Sequence, residues 1–223
     1  MRAGGAILDA ATEVRLHQRV PESSSKSGGT EFNYVVARDP IDAMDKAVES
    51  YVSDPDGHSI VTWRNAIRLS MARVVRVRLG KSDPMPLPGE SMVVRKNVYK
   101  ENLMNGDMVR IGCWIEDGPT IAGVTTRWAE VLPEVDPRPV KMLVATSNFD
   151  GQLPYVPLDQ WKRALKEEDA PEPVPLTWSY ALTCHLIQGD ERRRVTVVVP
   201  GDLSHPHFQK PTRIPNGGGV VNF

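Results

Sequence analysis

The chain has 223 residues, 40% of them hydrophobic and 25% charged, enough for one large domain or for one domain with a smaller inserted domain. The formal net charge of −1 means that any surface for a polyanion such as nucleic acid has to be local. The two cysteines are far apart and lack metal or disulfide spacing, which predicts a cytoplasmic protein. No apolar run approaches the roughly 18 residues of a membrane span, so no membrane contact is expected.

The first part of the chain predicts strands that alternate with helices. After a polar connector at 21–31, the apolar run at 33–37 predicts a short buried strand. Asp39-Pro40 then predicts the start of a helix, because Pro is favoured at the first helical position. A second strand is predicted at 59–63, and a helix follows from about 65 to 79. This alternation predicts a parallel α/β sheet.

The helix predicted from 65 to 79 contains several arginines. Its apolar stripe includes Ile67, Met71, Val74 and Val75, which would face the core. The arginines are expected on a solvated face of this helix: Arg68, Arg73, Arg76 and Arg78.

The middle of the chain has a different character, which begins at 82–90. From there to about residue 155, short apolar runs are separated by Gly, Pro, Asn and Asp, a pattern typical of a small antiparallel barrel. An amphipathic helix is predicted at 158–169, and the proline-rich residues 171–175 are expected to form a stiff linker.

The last part of the chain returns to the α/β pattern. The β-branched run at 193–200 predicts a buried strand, and the tail from Gly201 is expected to be irregular. These patterns predict an α/β domain in two segments, 1–85 and 156–223, interrupted by a barrel at 86–155. Three tryptophans are expected to pack in a core rather than to stack on bases: Trp114, Trp128 and Trp178.

The segment Tyr180–Glu191 carries a pattern that resembles a known family. It reads YALTCH, two further residues and QGDE, and a β-branched strand follows. This resembles motif V of superfamily-one helicases of the RecD-like branch, which usually reads Y-A-x-T-x-H-K-x-Q-G-x-E.

Two further segments resemble the same family, in the same order along the chain. Residues 89–107 resemble the small barrel that this branch inserts in its second motor domain, and the segment IVTWRN (60–65) resembles the AYRN strand–helix before it. The resemblance covers roughly residues 31–200. It implies a RecA-like parallel sheet with helices, interrupted by a small SH3-like antiparallel β-barrel. The barrel resemblance rests on Gly89, Glu90, Val93, Val94, Asn97, Tyr99, Leu103, Asn105, Gly106 and Asp107.

The resemblance implies that Thr183 and His185 touch single-stranded DNA. If Thr183 begins a helical turn, its hydroxyl and the nearby backbone N–H groups would face outward at a positive helix end, which suits a backbone phosphate. His185 would add a second donor. Without the resemblance, His185 reads as an ordinary structural histidine.

The resemblance also implies a nucleotide contact by the end of the same segment. Gly189 would let the backbone turn sharply and bring Glu191 toward the ribose hydroxyl, while Gln188 would brace the junction. Arg64 and Arg15 are candidate phosphate contacts, although Arg64 reads equally well as a surface arginine. The sequence nominates no catalytic residue and no metal ligand.

Three features depart from the family pattern. Leu186 stands where the family has Lys, and the tail from Gly201 contains no motif VI with an arginine finger. The chain also has no GxxxxGK[ST] loop and no acidic magnesium motif. Phosphoryl transfer needs a phosphate cradle and a metal site, so this chain alone is expected to bind neither ATP nor Mg²⁺ and to be inactive.

The sequence therefore predicts the C-terminal motor-domain portion of an ATP-dependent DNA helicase. It would grip single-stranded DNA and form one wall of an ATP cleft, as a fragment or as one subunit of a split motor. A chain carrying the first motor domain would then supply the site for ATP and Mg²⁺. The main alternative is a non-catalytic nucleic-acid-binding or adaptor protein that kept the fold. An unrelated α/β enzyme is less favoured, because no paired carboxylates, nucleophile–base pair or metal cluster emerges.

Overall fold

A computed structural model describes residues 5–17, 23–27, 30–55, 58–62, 65–147, 149, 156–183, 193–199 and 219–222. The chain forms two compact units. The sheet unit comprises Met1–Leu79 and Tyr180–Phe223, and the barrel unit comprises Gly80–Ser179.

The sheet unit contains three helices and six strands among its described residues. The helices are α1 (Ala6–His17), α2 (Pro40–Ser53) and α3 (Asn65–Arg78). The strands, numbered along the whole chain, are β1 (Ser25–Ser27), β2 (Thr30–Val36), β3 (His58–Thr62), β9 (Ala181–Thr183), β10 (Arg194–Val199) and β11 (Gly219–Asn222).

The six strands form one sheet in the order β1-β2-β11-β10-β3-β9. Strand β3 pairs in parallel with both β10 and β9, which confirms the predicted parallel pairing. Strand β11 is antiparallel to β10 and to β2, and β1 is antiparallel to β2. The described sheet is therefore mixed, with β2, β10, β3 and β9 running in one direction.

The polar connector and the tail contribute strands that the sequence analysis did not predict. Strand β1 lies within the expected connector at 21–31 and forms a short antiparallel pair with β2. Strand β11 lies within the tail that was expected to be irregular. Both are short, β1 is entirely polar, and β11 gains its hydrogen bonds from β10 and β2.

Helices α2 and α3 cover one face of this sheet. Asp39 caps α2 as predicted, because its carboxylate accepts hydrogen bonds from the backbone N–H groups of Ile41 and Asp42 at 2.8 and 2.9 Å. Helix α2 packs on β3 and β10, α3 packs on β3 and β9, and the two helices contact each other. Strand β3 is buried along its whole length, as expected for a central parallel strand.

Two arginines of α3 lie in its buried stripe rather than on a solvated face. Arg68 and Arg76 are 7% and 4% exposed, and they are in helical phase with Met71, Ala72 and Val75. The expectation of a solvated face is therefore wrong for these two residues. Arg73 and Arg78 are exposed, as expected.

The barrel unit contains a closed five-stranded barrel and one helix. The strands are β4 (Ser91–Val94), β5 (Met108–Asp117), β6 (Thr126–Pro133), β7 (Val140–Ala145) and β8 (Val174–Trp178), and the helix is α4 (Leu158–Glu167). Four neighbouring pairs are antiparallel, and β7 pairs with β8 in parallel. A ring with an odd number of strands cannot alternate direction throughout, so one parallel pair is unavoidable.

The barrel extends further along the chain than the predicted segment 86–155. Strand β8 closes the barrel between β4 and β7, so the unit ends at Ser179 and includes α4. The expected linker at 171–175 overlaps the start of β8, whose Val174 and Leu176 are buried. The proline content of 171–175 suggested a linker, but pairing with β4 and β7 makes residues 174–178 a strand of the barrel.

The barrel core is built from large apolar side chains that are almost completely buried. Each contributes roughly 1.5–3 kcal/mol through burial. Trp178 belongs to this core as predicted and packs against Phe149, with ring centroids 5.2 Å apart. Trp114 and Trp128 are only half-buried, each beneath a cation: Arg127 lies 5.6 Å from the Trp114 ring and Lys141 lies 4.9 Å from the Trp128 ring. The other large, nearly inaccessible members of the core are Met92, Ile111, Ile121, Leu143 and Leu176.

Candidate functional site

The carboxyl ends of strands β3 and β9 lie side by side in the sheet. The parallel register pairs Ile60 with Ala181 and Thr62 with Thr183. These strands belong to the IVTWRN segment and to the motif V-like segment, which are more than a hundred residues apart in sequence. Ligands of open α/β sheets bind beyond the carboxyl ends of parallel strands. The structure thus brings two of the predicted segments to one edge that suits a ligand.

Thr183 is the last residue of β9 and is only 8% exposed. Its register partner Thr62 is 1% exposed. The two share a face of the sheet with His58, two steps of alternation back along β3, and the ring of His58 packs 5.4 Å from the ring of Tyr51 in α2. The side chain of Thr183 therefore lies on the face that the helices cover. Thr183 ends a buried strand, so the outward-facing helical turn considered for it does not begin at this residue.

Most of the other predicted site residues lie outside the described part of the chain. Two of them are Arg64, two positions after Thr62 in sequence, and His185, two positions after Thr183. Their contacts with DNA or nucleotide stay predictions. Also outside the described residues are Gln188, Gly189 and Glu191.

Arg15 is not brought to the edge formed by β3 and β9. It is an exposed residue in the last turn of α1, which contacts β1 and β2. Strands β11, β10 and β3 separate β2 from β9. With neighbouring strands about 4.8 Å apart, β2 and β9 are separated by roughly 19 Å.

Two helices begin at this carboxyl edge, and they differ in electrostatic character. The N-terminus of α2 is already satisfied by the carboxylate of Asp39. The carboxylate of Asp42 accepts from the backbone N–H and the guanidinium of Arg38, and these hydrogen bonds hold the pKa of Asp42 well below its usual range. The first turn of α3 has no acidic residue and contains Arg68. The start of α3, next to β3 and β9, is therefore a more favourable place for an anion than the start of α2.

Sequence reasoning missed Arg68 as a site residue. It lies in the first turn and a half of α3, three residues after Asn65, and its Nε donates to Asn65 Oδ1 at 3.4 Å. The signal that could have identified it is its helical phase, because Arg68 is three and seven positions before the core residues Met71 and Val75. A guanidinium placed on a buried stripe next to a strand end is a candidate for anion binding or for bracing the edge.

The amino ends of the parallel strands carry a titratable cluster with a structural role. His58 is 4% exposed, and its Nε2 lies 2.8 Å from Oγ1 of Thr196. Burial, and then the nearby charge of Arg194, lower the pKa of His58. Asp54 at the end of α2 accepts two hydrogen bonds from Arg193, at 2.6 and 2.8 Å, and also pairs with Arg194. These contacts join α2 to β10 at the opposite end of the strands from the candidate site.

Several of the barrel residues that carry the family resemblance stabilise turns in this structure, while Val93 and Val94 belong to strand β4. Asn97 Oδ1 accepts from the backbone N–H of Asn105 at 2.9 Å, and Asp107 Oδ2 accepts from the N–H of Met104 at 2.7 Å. Glu90 is buried and its Oε2 accepts from the backbone N–H of Leu87 at 2.5 Å. Their spacing thus has a local explanation in the geometry of two loops.

Within the described ranges, no group of three or more His, Cys, Asp or Glu residues could hold a metal ion. No helix in the same part of the chain is long and apolar enough to cross a bilayer. No protein-family model and no curated protein sequence matches this chain.

Proposed function

We propose that this chain is the C-terminal motor-domain portion of an ATP-dependent DNA helicase, which grips single-stranded DNA and forms one wall of an ATP cleft. In this proposal the sheet unit is RecA-like and the barrel unit is SH3-like. The observation that carries it is the register pair of Thr62 and Thr183, which joins two motif-like segments at the carboxyl edge of the sheet.

The proposed grip divides its work between Thr183 and the residues that follow it. Because Thr183 is buried at the end of β9, it anchors the segment to the sheet and holds it beside Thr62. His185 then donates to a DNA phosphate. Gln188, Gly189 and Glu191 serve the nucleotide side, so that one short segment touches both ligands. Such sharing is the coupling between two binding sites that a motor requires.

Nucleotide chemistry would need a second chain. This sequence supplies no phosphate loop, and phosphoryl transfer depends on such a cradle and on Mg²⁺. ATP and Mg²⁺ would therefore bind only when a chain carrying the first motor domain completes the cleft. Arg64 is the residue of this chain proposed to reach a nucleotide phosphate, whereas Arg15 lies on α1, which packs at the other end of the sheet order.

A non-catalytic nucleic-acid-binding or adaptor protein is the second candidate, and specific observations favour it. Strand β11 runs antiparallel between β2 and β10, which departs from a wholly parallel motor sheet. Leu186 replaces the lysine of the motif. The two candidates differ in one outcome, because only the motor portion would bind ATP when it is paired with a first motor domain.

The test is a titration of labelled single-stranded DNA with the purified chain at low and moderate salt. The decisive variant combines Thr183→Val, which keeps the buried volume, with His185→Ala. We expect salt-sensitive binding by the parent and clearly weaker binding by this variant. A matched control combines Thr12→Val with His17→Ala on α1, across the sheet from β9. Binding by the Thr183/His185 variant that equals the parent's would show that the motif assignment is wrong.

A further inference from the structure

The loop between β4 and β5 presents an aromatic ring to solvent. Tyr99 is 75% exposed, at the start of a single 3-10 turn that spans Tyr99–Glu101. Met104, on the same loop, is 44% exposed. Exposed tyrosine rings are a common means of holding unstacked bases or partner side chains.

This loop is held in place although its aromatic ring is exposed. Val98 and Leu103 exchange two backbone hydrogen bonds, at 2.7 and 3.2 Å, and Leu103 is buried. Asn97 spans the loop, because its Oδ1 accepts from Asn105 N–H while its Nδ2 donates to the hydroxyl of Tyr99 at 3.0 Å. The ring is thus fixed before any ligand arrives, which reduces the entropy cost of binding.

Positive charge without an acidic partner flanks Tyr99 along the chain. Among the described residues, no ion pair joins Arg95 or Lys100 to a carboxylate, whereas Lys96 is paired with Glu172 at 2.7 Å. Nη1 of Arg95 is buried without a hydrogen-bond partner, and burial lowers the pKa of this guanidinium. The side chain as a whole is only partly buried, so the rest of this guanidinium can contact an anion, and phosphate matches its geometry.

We propose that this loop, residues 95–107, binds single-stranded nucleic acid, with a base stacked on the ring of Tyr99 and flanking phosphates contacted by Arg95 and Lys100. Met104 would add an apolar contact to the base. Among the described residues, neither cation is ion-paired with the carboxylates of this loop, Glu101 and Asp107, so both are available to the phosphates of a polyanion. The site lies in the barrel unit and does not depend on the motor-domain assignment.

Photo-crosslinking locates the stacked base directly. The probe is an oligothymidylate with one 5-iododeoxyuridine, irradiated with the full chain and mapped by mass spectrometry. We expect the adduct on Tyr99 and its loss in Tyr99→Ala. Adducts confined to other residues would overturn the proposal. A ribonucleotide probe of the same sequence shows whether the site also accepts RNA.

Affinity measurements on variants separate stacking from a structural role. Tyr99→Ala should weaken oligonucleotide binding about tenfold, while Tyr99→Phe should bind like the parent because the ring remains. The control Leu158→Ala removes another exposed apolar side chain of the same unit and should change nothing. Equal weakening by Ala and Phe, or none by Ala, would contradict stacking. The melting temperatures of the variants should match the parent's, because the ring is exposed.

The phosphate contacts have their own signature in the salt dependence. Arg95→Met and Lys100→Met should each lower the slope of log affinity against log salt by about one. The control Arg138→Met removes an exposed arginine elsewhere in the barrel unit, and the slope should stay unchanged. Because Thr183 and His185 belong to the other unit, their variants should leave the Tyr99 crosslink in place. If the Thr183/His185 variant lost the Tyr99 crosslink, base binding at Tyr99 would depend on the sheet unit. That result would contradict a separate site in the barrel unit.

Discussion

His58 Nε2 and Thr196 Oγ1 are 2.8 Å apart, in a buried contact between the neighbouring strands β3 and β10. The contact lies beneath the ring of Tyr51 and beside the charges of Asp54 and Arg194. It joins two strands that are far apart in sequence, and one of its partners is titratable.

The burial of His58 predicts that the chain loses stability in mild acid. Its pKa in the folded state is lowered, first by burial and then by Arg194, and Asp54 only partly opposes this. The unfolded chain therefore binds a proton near pH 6.5 while the folded chain does not. The free energy of unfolding should fall as the pH drops below about 6.5 and level off below the folded-state pKa. Urea unfolding of the parent and of His58→Gln between pH 7.5 and pH 5 tests this, and identical pH dependence in both would contradict it.

The close packing at Gly118 predicts a strong effect of one added methyl group. A Cβ on Gly118 would clash with Oγ1 of Thr126 and would lie 2.6 Å from Cδ1 of Leu143. Gly118→Ala should therefore destabilise the chain by about 1–3 kcal/mol in chemical denaturation. In a Thr126→Ala background the same substitution should cost less, because one of the clashing atoms is removed. Additive effects in this double-mutant cycle would show that the clash is relieved in another way.

The cap of α2 predicts a smaller loss of stability. Asp39→Ala removes the acceptor for two backbone N–H groups and should cost about 0.5–2 kcal/mol in urea unfolding. Asp39→Asn keeps a side-chain oxygen and should remain close to the parent. An Asn variant as unstable as the Ala variant would mean that the charge, rather than the hydrogen bonds, stabilises this helix start.

The missing phosphate loop predicts that the purified chain does not turn over ATP. Phosphate release should be indistinguishable from a buffer control, with or without single-stranded DNA. Turnover that follows the protein peak through a final gel-filtration step would contradict the need for a first motor domain.

Local signals in the sequence were sufficient where a short stretch determines its own structure. Asp39-Pro40 marks the start of α2, because a capping side chain and a fixed proline φ act within one turn. The apolar run predicted as a strand at 59–63 forms β3, which is buried on both faces. The switch to short apolar runs after residue 82 likewise indicated the barrel.

The remaining differences come from partners that are distant in sequence. The proline-rich residues 171–175 were expected to form a linker, yet the strand Val174–Trp178 overlaps them because it pairs with β4 and β7. Arg68 and Arg76 were assigned by charge, whereas their helical phase places them on the buried stripe. A helical turn was considered at Thr183, but Thr183 pairs with Thr62 and ends strand β9. The position of a candidate site residue thus depended on sheet register, which no motif encodes.

The first and last strands of the barrel unit are hydrogen-bonded to each other. Met92 pairs with Trp178, and the carbonyl of Ser91 accepts from both the backbone N–H and the hydroxyl of Ser179, at 3.2 and 3.0 Å. The chain therefore enters and leaves the barrel unit at neighbouring points. During synthesis, β3 cannot pair with β9 and β10 until the whole barrel unit has been synthesised. The barrel strands β4 to β8 all lie within the barrel unit, so they can pair before β9 and β10 are made. The incomplete sheet would then not compete for the barrel strands.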